Sequence, residues 1–586
     1  MLQQNQNAQE SLMKSSPGQN RGSSSAAMGG HVLIMIVALL LLSAVLQSLA
    51  FAPFYVWPLA FCALTPAALV VMWYGAGWRT LLLFYGIGAA YFGINCFWLA
   101  PVTSWGLLVL AMYLGLYWLL FAKVFDIITR HLHWPALVSL PLIFTSLEYL
   151  RDTLFSGFAW FTLGTAVAPA DTLLQVADLF GVSGLTFLAC VVAGCFADIV
   201  AARRGGRRAY VHMAIETLLA VALLAIAYAY GVYRVNQRDV ITPGPRVAVI
   251  QQYIPQTLKD AGGIKADREL FNSFMRLSRA ATVAHPNLIA WPETMIPGFM
   301  NRQWLSLPPM VFSARYTRQL LRLDQQFAAK LASFSHHTGI ALLVGASYIG
   351  YNRQGRVDQK KNVALMVTPS RGLLPVHYAK HHLVPFGEYV PFAQWPWLHR
   401  LLLYLTPYGP HDDYSLNPGS HWTRFTLKVG KNVWRFGTPI CYEDVMPRPS
   451  RMLARPRHGK KGADFLISIS NDGWYDSSFE LDQHLQMDQV RAVENRVPIA
   501  RSVNGGDCGF IDSLGRVIRL VRVNGQSNFV SGYAAATLPI DRRISLFSRI
   551  GDIFPRVLLA FTIVAVLWAC IWARLKGSKN SGPSGT

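Results

Sequence analysis

The sequence has little charge for its length. Of its 586 residues only 14% are Asp, Glu, Lys or Arg, and 52% are hydrophobic, whereas a soluble domain usually carries about 25% charged residues. This scarcity argues against a chain that is soluble throughout, and the length argues against a single ordinary domain. Because the apolar excess lies in the first 235 residues and in one stretch near the C-terminus, we expect a polytopic membrane protein with a polar domain inserted late.

Acidic residues are also few relative to basic ones, with 31 Asp and Glu against 53 Lys and Arg, for a formal net charge of +22. A charge of this size could serve nucleic-acid binding, but the sequence contains no nucleic-acid module and no platform of interleaved basic and aromatic residues. Lys and Arg that flank membrane spans are a simpler source, and anionic lipid is a simpler partner. We therefore expect a membrane environment and no nucleic acid.

The seven cysteines include no CxxC pair and no Cys/His cluster with zinc spacing. His381, His382 and His484 lie in no HExxH motif and at no carboxylate–histidine spacing, so we expect no metal and no other cofactor. Only Cys441 and Cys508 lie in the polar part of the chain. The others lie in apolar segments, where Cys behaves as a small buried hydrophobe: Cys62, Cys96, Cys190, Cys195 and Cys570.

Eight apolar runs have the length needed to cross a bilayer. They lie at about residues 32–50, 54–73, 80–99, 105–122, 134–150, 180–200, 212–233 and 554–573. Residues 1–30 are rich in Gln, Asn, Ser and Gly and are expected to form a disordered cytoplasmic tail. The resulting division is seven transmembrane helices over 31–234, an extracytoplasmic domain over 240–545, an eighth helix over 552–573 and a cytoplasmic tail over 574–586.

The orientation follows from Lys and Arg in the short loops and the C-terminal tail, which are enriched on the cytoplasmic side. With the N-terminus in the cytoplasm every basic loop lies inside, and the opposite orientation would place them all outside. We therefore expect the polar domain to be extracytoplasmic. The residues that decide this are Arg79, Lys123, Arg130, Arg203, Arg204, Arg207, Arg208, Arg574, Lys576 and Lys579.

Glu148 and Arg151 lie at the outer end of the fifth predicted span, three residues apart on one helix face, where they are expected to pair. Two interpretations are open. The pair is either an ordinary interfacial ion pair or part of a polar patch that faces the extracytoplasmic domain or a lipid headgroup.

Strand-like runs alternate with helical runs in the polar domain, which indicates an α/β sheet fold. The strand runs are 246–253, 287–293, 341–350, 362–369, 372–380 and 463–472, and a helix is expected over 481–496. The stretch "TRFTLKVGKNVWRFGTPICYED" predicts a hairpin that turns at Gly430 and Lys431. In such sheets chemistry gathers beyond the carboxyl ends of strands, and Glu293, Lys380 and Cys441 each follow a predicted strand.

Cys441 could form a disulfide, fill the core or act as a nucleophile. A disulfide with Cys508 is possible because both residues are expected outside the cytoplasm. A thiol is a useful nucleophile only as the thiolate, which a nearby base and cation favour. Glu293 could take the proton, and Lys380 could stabilise the thiolate and a developing oxyanion. Alone, Glu293 could be a helix cap and Lys380 a solvated charge, but their common placement after strands favours the nucleophile.

Five motifs resemble those of the nitrilase superfamily with its Glu-Lys-Cys triad: "WPET", "YAKHHLVPFGEYVPF", "CYED", "SNDGWY" and "SVNGG". The span arrangement and "EYLRDTLFSGFAW" narrow the resemblance to the apolipoprotein N-acyltransferases, over nearly the whole chain after residue 30. The resemblance implies a multi-span α-helical membrane domain plus an α/β nitrilase-like αββα sandwich domain.

The resemblance implies that Glu293, Lys380 and Cys441 are the catalytic triad of an acyltransferase. Cys441 would take an acyl chain from a phospholipid such as phosphatidylethanolamine as a thioester, and pass it to the α-amine of the diacylglyceryl cysteine of an apolipoprotein. The location would be the bacterial inner membrane, with the catalytic domain in the periplasm. The alternatives are a membrane-anchored nitrilase-type amidase or hydrolase, which passes the acyl group to water, and a non-catalytic lipoprotein-binding scaffold, which the intact triad disfavours.

Supporting roles carry over from the same motifs. Glu388 resembles a second glutamate near the triad, which could hold Lys380 protonated. Tyr442 and Glu443 follow the nucleophile as in the family, and Asn362 matches an asparagine that supports the site.

Aromatic residues suggest lipid contact in two further places. Trp474 and Tyr475 could contact an acyl chain or simply pack in the core. The segment "FAQWPWLHRLLLYLTPYGPHDDY" (392–414) is either a helix packed on the domain or, as the resemblance implies, a mobile arm that dips into the bilayer surface. The chain departs from the family at Asp260, where the family often has Trp, which puts donor or acceptor preference in doubt.

Overall fold

The computed structural model describes residues 29–202, 207–237, 239–256, 259, 262–354, 356–406, 414–475 and 478–580. Asp260, Arg203 and Arg204 lie outside the described residues, as do 1–28 of the expected N-terminal tail and 581–586 of the C-terminal one.

A helix covers each of the eight predicted spans. In chain order they are α1 Gly30–Ala50, a 3-10 turn Trp57–Phe61 that leads into α2 Thr65–Tyr74, α3 Trp78–Asn95, α4 Ser104–Leu132, α5 Ala136–Arg151, α6 Val182–Ala202, α7 Arg207–Asn236 and the C-terminal helix Ile553–Asn580. Several basic residues expected in loops lie on helices instead: Arg79 on α3, Lys123 and Arg130 on α4, and Arg207 and Arg208 on α7. The C-terminal helix also continues into the predicted tail.

Six of these segments are long and apolar enough to cross a membrane, by length and composition. The other two are α3, which carries Arg79 in its first turn, and α5, whose 16 residues span about 24 Å, less than the roughly 30 Å hydrocarbon core. The chain is therefore a membrane protein, and the arrangement with eight spans stays a prediction.

The described residues of the polar domain form two sheets. The first runs in the order β13-β1-β2-β4-β5-β6, with β3 paired to β4, and the second in the order β12-β11-β10-β9-β8-β7. The first comprises β1 Ile241–Gln251, β2 Leu288–Ala290, β3 Ile296–Phe299, β4 Ala341–Tyr351, β5 Val357–Thr368, β6 Gly372–Ala379 and β13 Gly532–Asp541. The second comprises β7 Phe425–Val429, β8 Asn432–Gly437, β9 Phe465–Asn471, β10 Ile499–Asn504, β11 Gly509–Ile511 and β12 Val517–Leu520. The predicted hairpin is confirmed, since β7 and β8 pair antiparallel around Gly430.

Helices cover the outer faces of both sheets, which confirms the αββα sandwich. Along β1, Val247 and Val249 pack between the two sheets, whereas Ala248 and Ile250 pack against helices, as the two-residue period of a strand requires. The longer helices are α8 Ile264–Ala281 and α9 Arg315–Thr338 beside the first sheet, α10 Pro396–Leu402, and α11 Pro447–Ala454 and α12 Glu480–Asn495 beside the second. The short helices are Asp171–Leu174, Ala177–Phe180, Arg302–Leu305, Tyr442–Val445 and Leu546–Ile550.

The second sheet faces the membrane half through α12. Leu485 and Ala492 of this helix pack with the sheets, and Met487, Val490 and Val493 join the apolar core of the membrane helices. α12 therefore lies between the core of the polar domain and the core of the membrane half. The elements that follow the strands of the second sheet lie close to that junction.

Candidate active site

Cys441 lies on a sharp turn between β8 and the short helix Tyr442–Val445. Its φ of 52° is unusual for a residue with a side chain and costs conformational energy that the surrounding contacts must offset. The Cys441 N–H donates to the Ile469 carbonyl at 2.8 Å, and the Asp444 N–H donates to the Cys441 carbonyl at 3.0 Å. These bonds fix the turn, and such strain is typical of a functional position.

Glu293 and Lys380 meet in the same site. Each follows a strand of the first sheet, and Lys380 Nζ lies 3.3 Å from Glu293 Oε1. Both side chains are buried, at 5% and 1% exposure. The second Glu293 oxygen accepts the Asn471 N–H at 2.9 Å. Glu293, Lys380 and Cys441 line one cavity, so the structure brings together the three residues predicted to be the triad.

Glu388 and Asn362 complete the polar surroundings of the pair. Lys380 Nζ lies 2.8 Å from Glu388 Oε2. The Asn362 amide donates to Glu293 at 2.5 Å and to Glu388 at 3.1 Å. Lys380 therefore lies between two carboxylates that one amide holds apart.

The electrostatics favour a thiol beside an ammonium ion in the resting site. Burial raises the pKa of the Cys441 thiol, Glu293 raises it further, and Lys380 opposes both. Burial lowers the pKa of Lys380, but Cys441, Glu293 and Glu388 outweigh that effect and hold it well above its ordinary value. A reaction at Cys441 therefore requires a base that removes the thiol proton, and a carboxylate is available at Glu293.

Glu443 joins the turn at Cys441, which we call the nucleophile turn after the predicted role of that residue, to the end of β6. Its carboxylate accepts the Tyr378 hydroxyl at 2.9 Å and the N–H groups of Ile440, His381 and His382 at 2.9, 2.8 and 3.2 Å. Burial raises the pKa of Glu443 to about 7, and the backbone donors lower it. The carboxylate thus fixes Lys380, which precedes His381, relative to the turn at Cys441.

Tyr442 connects the site to the membrane half. Its hydroxyl donates to the Gly157 carbonyl at 3.2 Å. Its ring stacks on Trp160, with the ring planes 11° apart and the centroids 6.4 Å apart. Gly157 and Trp160 both lie in the segment between α5 and α6, so the nucleophile turn rests directly on the membrane half.

Trp474 and Tyr475 line the cavity that holds the triad. The Tyr475 ring meets Trp98 edge to face at 4.8 Å, and Trp98 lies between α3 and α4. This position is compatible with either acyl-chain contact or packing, so the predicted substrate role stays a prediction.

The cavity itself has a volume of about 960 Å³ and extends from the triad to the membrane half. Its walls include Leu99, Val102 and Thr103, from the loop between α3 and α4. A volume of this size accommodates a drug-sized or larger ligand. The arrangement can bring an amphipathic molecule from the membrane side to Cys441.

The disulfide alternative is wrong for this structure, because all seven cysteines are free. Cys508 is buried, and its sulfur accepts the Val503 N–H at 2.8 Å. It is a packed residue, as expected if Cys441 is reserved for chemistry.

The predicted ion pair at the end of α5 is present, with Arg151 Nη2 3.7 Å from Glu148 Oε1. Both residues are buried. Arg151 also donates to Thr162 at 3.1 Å, and Glu148 accepts the Leu163 N–H at 2.8 Å. The pair therefore anchors the segment between α5 and α6, on which the nucleophile turn rests.

The expected arm includes α10, which has no buried residue. Trp395, Trp397, Leu401 and Tyr404 are 51–70% exposed. The exposure disfavours a helix packed on the domain and suits the bilayer-surface interpretation, which stays a prediction. Residues 407–413 of the arm lie outside the described part of the chain.

Sequence reasoning missed a buried cluster behind the nucleophile turn, formed by Asp444, Asp472, His484 and Arg501. The ligand atoms of Asp472, Glu480 and His484 lie within 4.8 Å of one another, a spacing that could hold a metal ion. Arg501 already occupies one side of Asp472, at 3.2 Å. The sequence marks its members only separately, with Asp444 in "CYED", Asp472 in "SNDGWY" and His484 as a lone histidine. The expectation that His484 has no carboxylate–histidine spacing is wrong, because Glu480 precedes it by four residues on one helix.

Comparison with known proteins gives the class of the polar domain and then a similarity that extends over most of the chain. The model described as "Carbon-nitrogen hydrolase" matches residues 246–531, and the model described as "Apolipoprotein N-acyltransferase N-terminal domain" matches residues 43–195. The polar domain is thus a carbon-nitrogen hydrolase domain attached to membrane helices. Together with the relatives below, these matches show that the chain is similar over most of its length to the apolipoprotein N-acyltransferases.

Curated relatives match most of the chain. Apolipoprotein N-acyltransferase from Geobacter metallireducens is 28% identical over 493 residues, which are 80% of this chain and 82% of that protein. The protein of the same name from Haemophilus ducreyi is 29% identical over 528 residues, which are 86% of this chain and 90% of that one. Among solved structures, a mutant of a nitrilase-superfamily amidase from Nesterenkonia AN1 is 16% identical, with a TM-score of 0.32, and covers 51% of this chain and 93% of that chain.

Proposed function

We propose that the chain is an apolipoprotein N-acyltransferase that moves a fatty acyl chain from a phospholipid to the α-amine of a diacylglyceryl cysteine. The observation that carries the proposal is the shared cavity, which holds Glu293, Lys380 and Cys441 at one end and Leu99 and Val102 of the membrane half at the other. Relatives that carry this name over most of the chain support it.

In the first half-reaction Glu293 takes the Cys441 proton, and the thiolate attacks an ester carbonyl of a glycerophospholipid such as phosphatidylethanolamine. Lys380 stabilises the negative charge that develops on the carbonyl oxygen. The acyl–oxygen bond then breaks, Glu293 returns the proton to the departing oxygen, and a lysophospholipid leaves. Cys441 now carries the acyl chain as a thioester.

In the second half-reaction the α-amine of the diacylglyceryl cysteine attacks the thioester carbonyl. Glu293 removes a proton from the attacking amine, the carbon–sulfur bond breaks, and an amide forms while Cys441 regains its proton. No cofactor enters this sequence, because the acyl group is already activated as an ester and then as a thioester.

Glu388 and Asn362 support both half-reactions through their contacts with Lys380 and Glu293. Glu443 and Tyr442 hold the nucleophile turn on β6 and on the membrane half. Trp474 and Tyr475 contact the acyl chain, since both face the cavity.

The location that suits this chemistry is the bacterial inner membrane, with the catalytic domain in the periplasm. The Lys and Arg residues near the predicted cytoplasmic ends of the spans support this orientation. The exposed aromatic residues of α10 suit contact with the bilayer surface near the entrance of a lipid donor.

The test supplies the purified protein with phosphatidylethanolamine that carries an isotope-labelled acyl chain and with a synthetic diacylglyceryl lipopeptide. We expect mass spectrometry to show the labelled chain on the lipopeptide amine, and no product when that amine is acetylated beforehand. Release of labelled free fatty acid without acylated lipopeptide would overturn the proposal in favour of a hydrolase.

A further inference from the structure

The buried cluster behind the nucleophile turn has no part in the reaction derived above. It consists of Asp444, Asp472, His484 and Arg501, none of which is more than 2% exposed, and we call it the His484 cluster. Burying four charged groups is costly unless they pair closely, so their arrangement calls for a role.

His484 lies between two carboxylates. Its Nε2 is 2.5 Å from Asp444 Oδ1, and its Nδ1 is 3.2 Å from Asp472 Oδ2. A ring nitrogen that faces a carboxylate must carry a proton, so both nitrogens are donors and the ring is an imidazolium ion. Burial and Arg501 lower the pKa of His484, but the two carboxylates outweigh them and hold it well above its ordinary value.

Other charged groups face the same ring from the elements packed around it. Glu480, on α12 with His484, lies 3.4 Å from Nδ1, and the Trp160 ring of the membrane half lies 5.7 Å away. Arg501 on β10 bonds Asp444 and Asp472, and it also bonds Asp488 at 2.6 Å. Four carboxyl groups thus surround the two cations His484 and Arg501. If His484 were neutral, Arg501 would be the one remaining positive charge among the described groups that face these carboxyl groups.

The first carboxylate belongs to the nucleophile turn. Asp444 lies on the short helix that begins after Cys441, and its N–H donates to the Cys441 carbonyl at 3.0 Å. Its second oxygen accepts the Ser468 hydroxyl at 2.6 Å. The bond to His484 therefore fixes the position of the residue that closes the strained turn.

The second carboxylate belongs to the segment that holds Glu293. Asp472 follows Asn471, whose N–H donates to Glu293 Oε2 at 2.9 Å. The Asp472 N–H donates to the Asn504 carbonyl at 3.0 Å, and its carbonyl accepts the Tyr475 N–H at 3.0 Å. A shift of Asp472 would therefore move the donor that orients Glu293.

We propose that His484 is a positioning residue, whose imidazolium bridges the turn that carries Cys441 and the segment that orients Glu293. The bridge fixes the position of the Cys441 nucleophile relative to the Glu293 base, and the positive charge of His484 stabilises the nearby thiolate. The proposal depends on the proposed function only through the assignment of Cys441 as the nucleophile.

The test measures alkylation of Cys441 by iodoacetamide as a function of pH, read as the mass of the Cys441 peptide. In this reaction the thiolate displaces iodide and its proton goes to solvent. For His484→Gln in the full-length chain we expect the apparent pKa of alkylation to rise by at least about half a unit, and the rate at pH 7.5 to fall at least about threefold. His336→Gln, an exposed histidine of α9, should leave both unchanged.

A role that is only structural would lower the melting temperature of His484→Gln without moving the pH profile, and this result would overturn the proposal. If that variant does not fold, Asp444→Asn breaks the same contact while keeping the side-chain volume. Because it removes a negative charge, its readout is the limiting alkylation rate at high pH, which should fall at least about threefold, and an unchanged limiting rate would overturn the proposal. Where both fold, the double variant should be no slower than the slower single variant, since both changes break one contact; additive losses would contradict the bridge.

Iodoacetamide requires no lipid, so this result is independent of the acyl donor and acceptor. If iodoacetamide alkylates Cys441 of the native chain but the native chain transfers no acyl group, the proposed function is contradicted. The inference about His484 is not affected by that result.

Discussion

Lys380 Nζ lies 2.8 Å from Glu388 Oε2, closer than its 3.3 Å distance to Glu293. Glu388 therefore binds the Lys380 ammonium ion directly. Because Lys380 shares its charge between two carboxylates, it pairs less strongly with Glu293, and Glu293 stays available to accept a proton. Glu388 is held in turn by the Val384 N–H at 2.9 Å. The second glutamate is part of the geometry on which the proposed chemistry depends.

Replacing Glu388 with Gln should slow acylation of Cys441 by about 10–100-fold, the equivalent of one lost charge-assisted contact. Lys380 would then pair with Glu293 alone and weaken it as a base. Rapid-quench mass spectrometry of the acyl adduct measures the rate, and Asp358→Asn, an exposed acid on β5, serves as the control. An unchanged acylation rate would remove Glu388 from the account.

Replacing Glu293 with Gln should reduce acylation by about 10²–10⁴-fold, the usual contribution of a general base. The melting temperature should also fall, because Gln keeps one oxygen that accepts from Asn362 and Lys380 but turns an N–H group toward the Asn471 N–H. If the variant forms the adduct at the normal rate, another group takes the Cys441 proton.

Replacing Glu443 with Gln should lower stability by about 2–4 kcal/mol and also impair acylation. The Glu443 carboxylate now accepts hydrogen bonds from four donors, and the Gln amide would turn an N–H group toward some of them. The donors are the Tyr378 hydroxyl and the N–H groups of Ile440, His381 and His382. Thermal unfolding measures the stability, and Cys441 alkylation measures the site. A variant as stable as the native chain would show that these bonds do not hold the turn.

Replacing Val102 with Trp should narrow the cavity on the membrane side and raise the KM for a phospholipid donor by about fivefold or more. Alkylation by iodoacetamide should be unchanged, because a small reagent does not need this route. Steady-state assays in lipid nanodiscs measure the KM for the phospholipid donor. Equal impairment of both reactions would mean that the substitution distorts the site and does not block an entrance.

Asp324 on α9 makes the stability of the domain depend on pH. Burial raises its pKa to about 7, although the Phe299 N–H and the Trp304 indole lower it. Between its unfolded pKa, near 4, and 7 the folded state binds the extra proton, so stability falls as the pH rises through this window. We therefore compare the melting temperature of Asp324→Asn with that of the native chain at two pH values. The difference, variant minus native, should be larger at pH 8 than at pH 5 by at least about 2 °C. A constant difference would contradict the assignment.

Much of the fold was accessible from the sequence because its signals are local. Buried runs such as 463–472 became strands, and the turn at Gly430 matched a hairpin. β13 was missed, since "GYAAATLPID" is rich in Ala and lacks the β-branched residues that mark a strand. The sequence predicts too early an end for α4, because its 29 residues exceed the length that a bilayer requires and its basic C-terminal part is typical of a loop.

In the site, too, the sequence predicts the residues that local signals mark and misses those that pair only in the folded chain. Glu293, Lys380 and Cys441 were placed together because each follows a strand, and strand ends converge at the edges of sheets. The bridge from Asp444 through His484 to Asp472 could not be predicted, since its members lie on a turn, a helix and a loop and pair only in three dimensions. Arg501 within the buried run of β10 gave no sign of its partners.

The intact mass of the protein after incubation with phosphatidylethanolamine shows most directly whether Cys441 is the acylated nucleophile. We expect the added mass of one acyl chain on Cys441, its removal by hydroxylamine as is usual for a thioester, and its transfer to a diacylglyceryl lipopeptide added later. If no adduct forms and Cys441→Ala still acylates the lipopeptide, Cys441 is not the nucleophile.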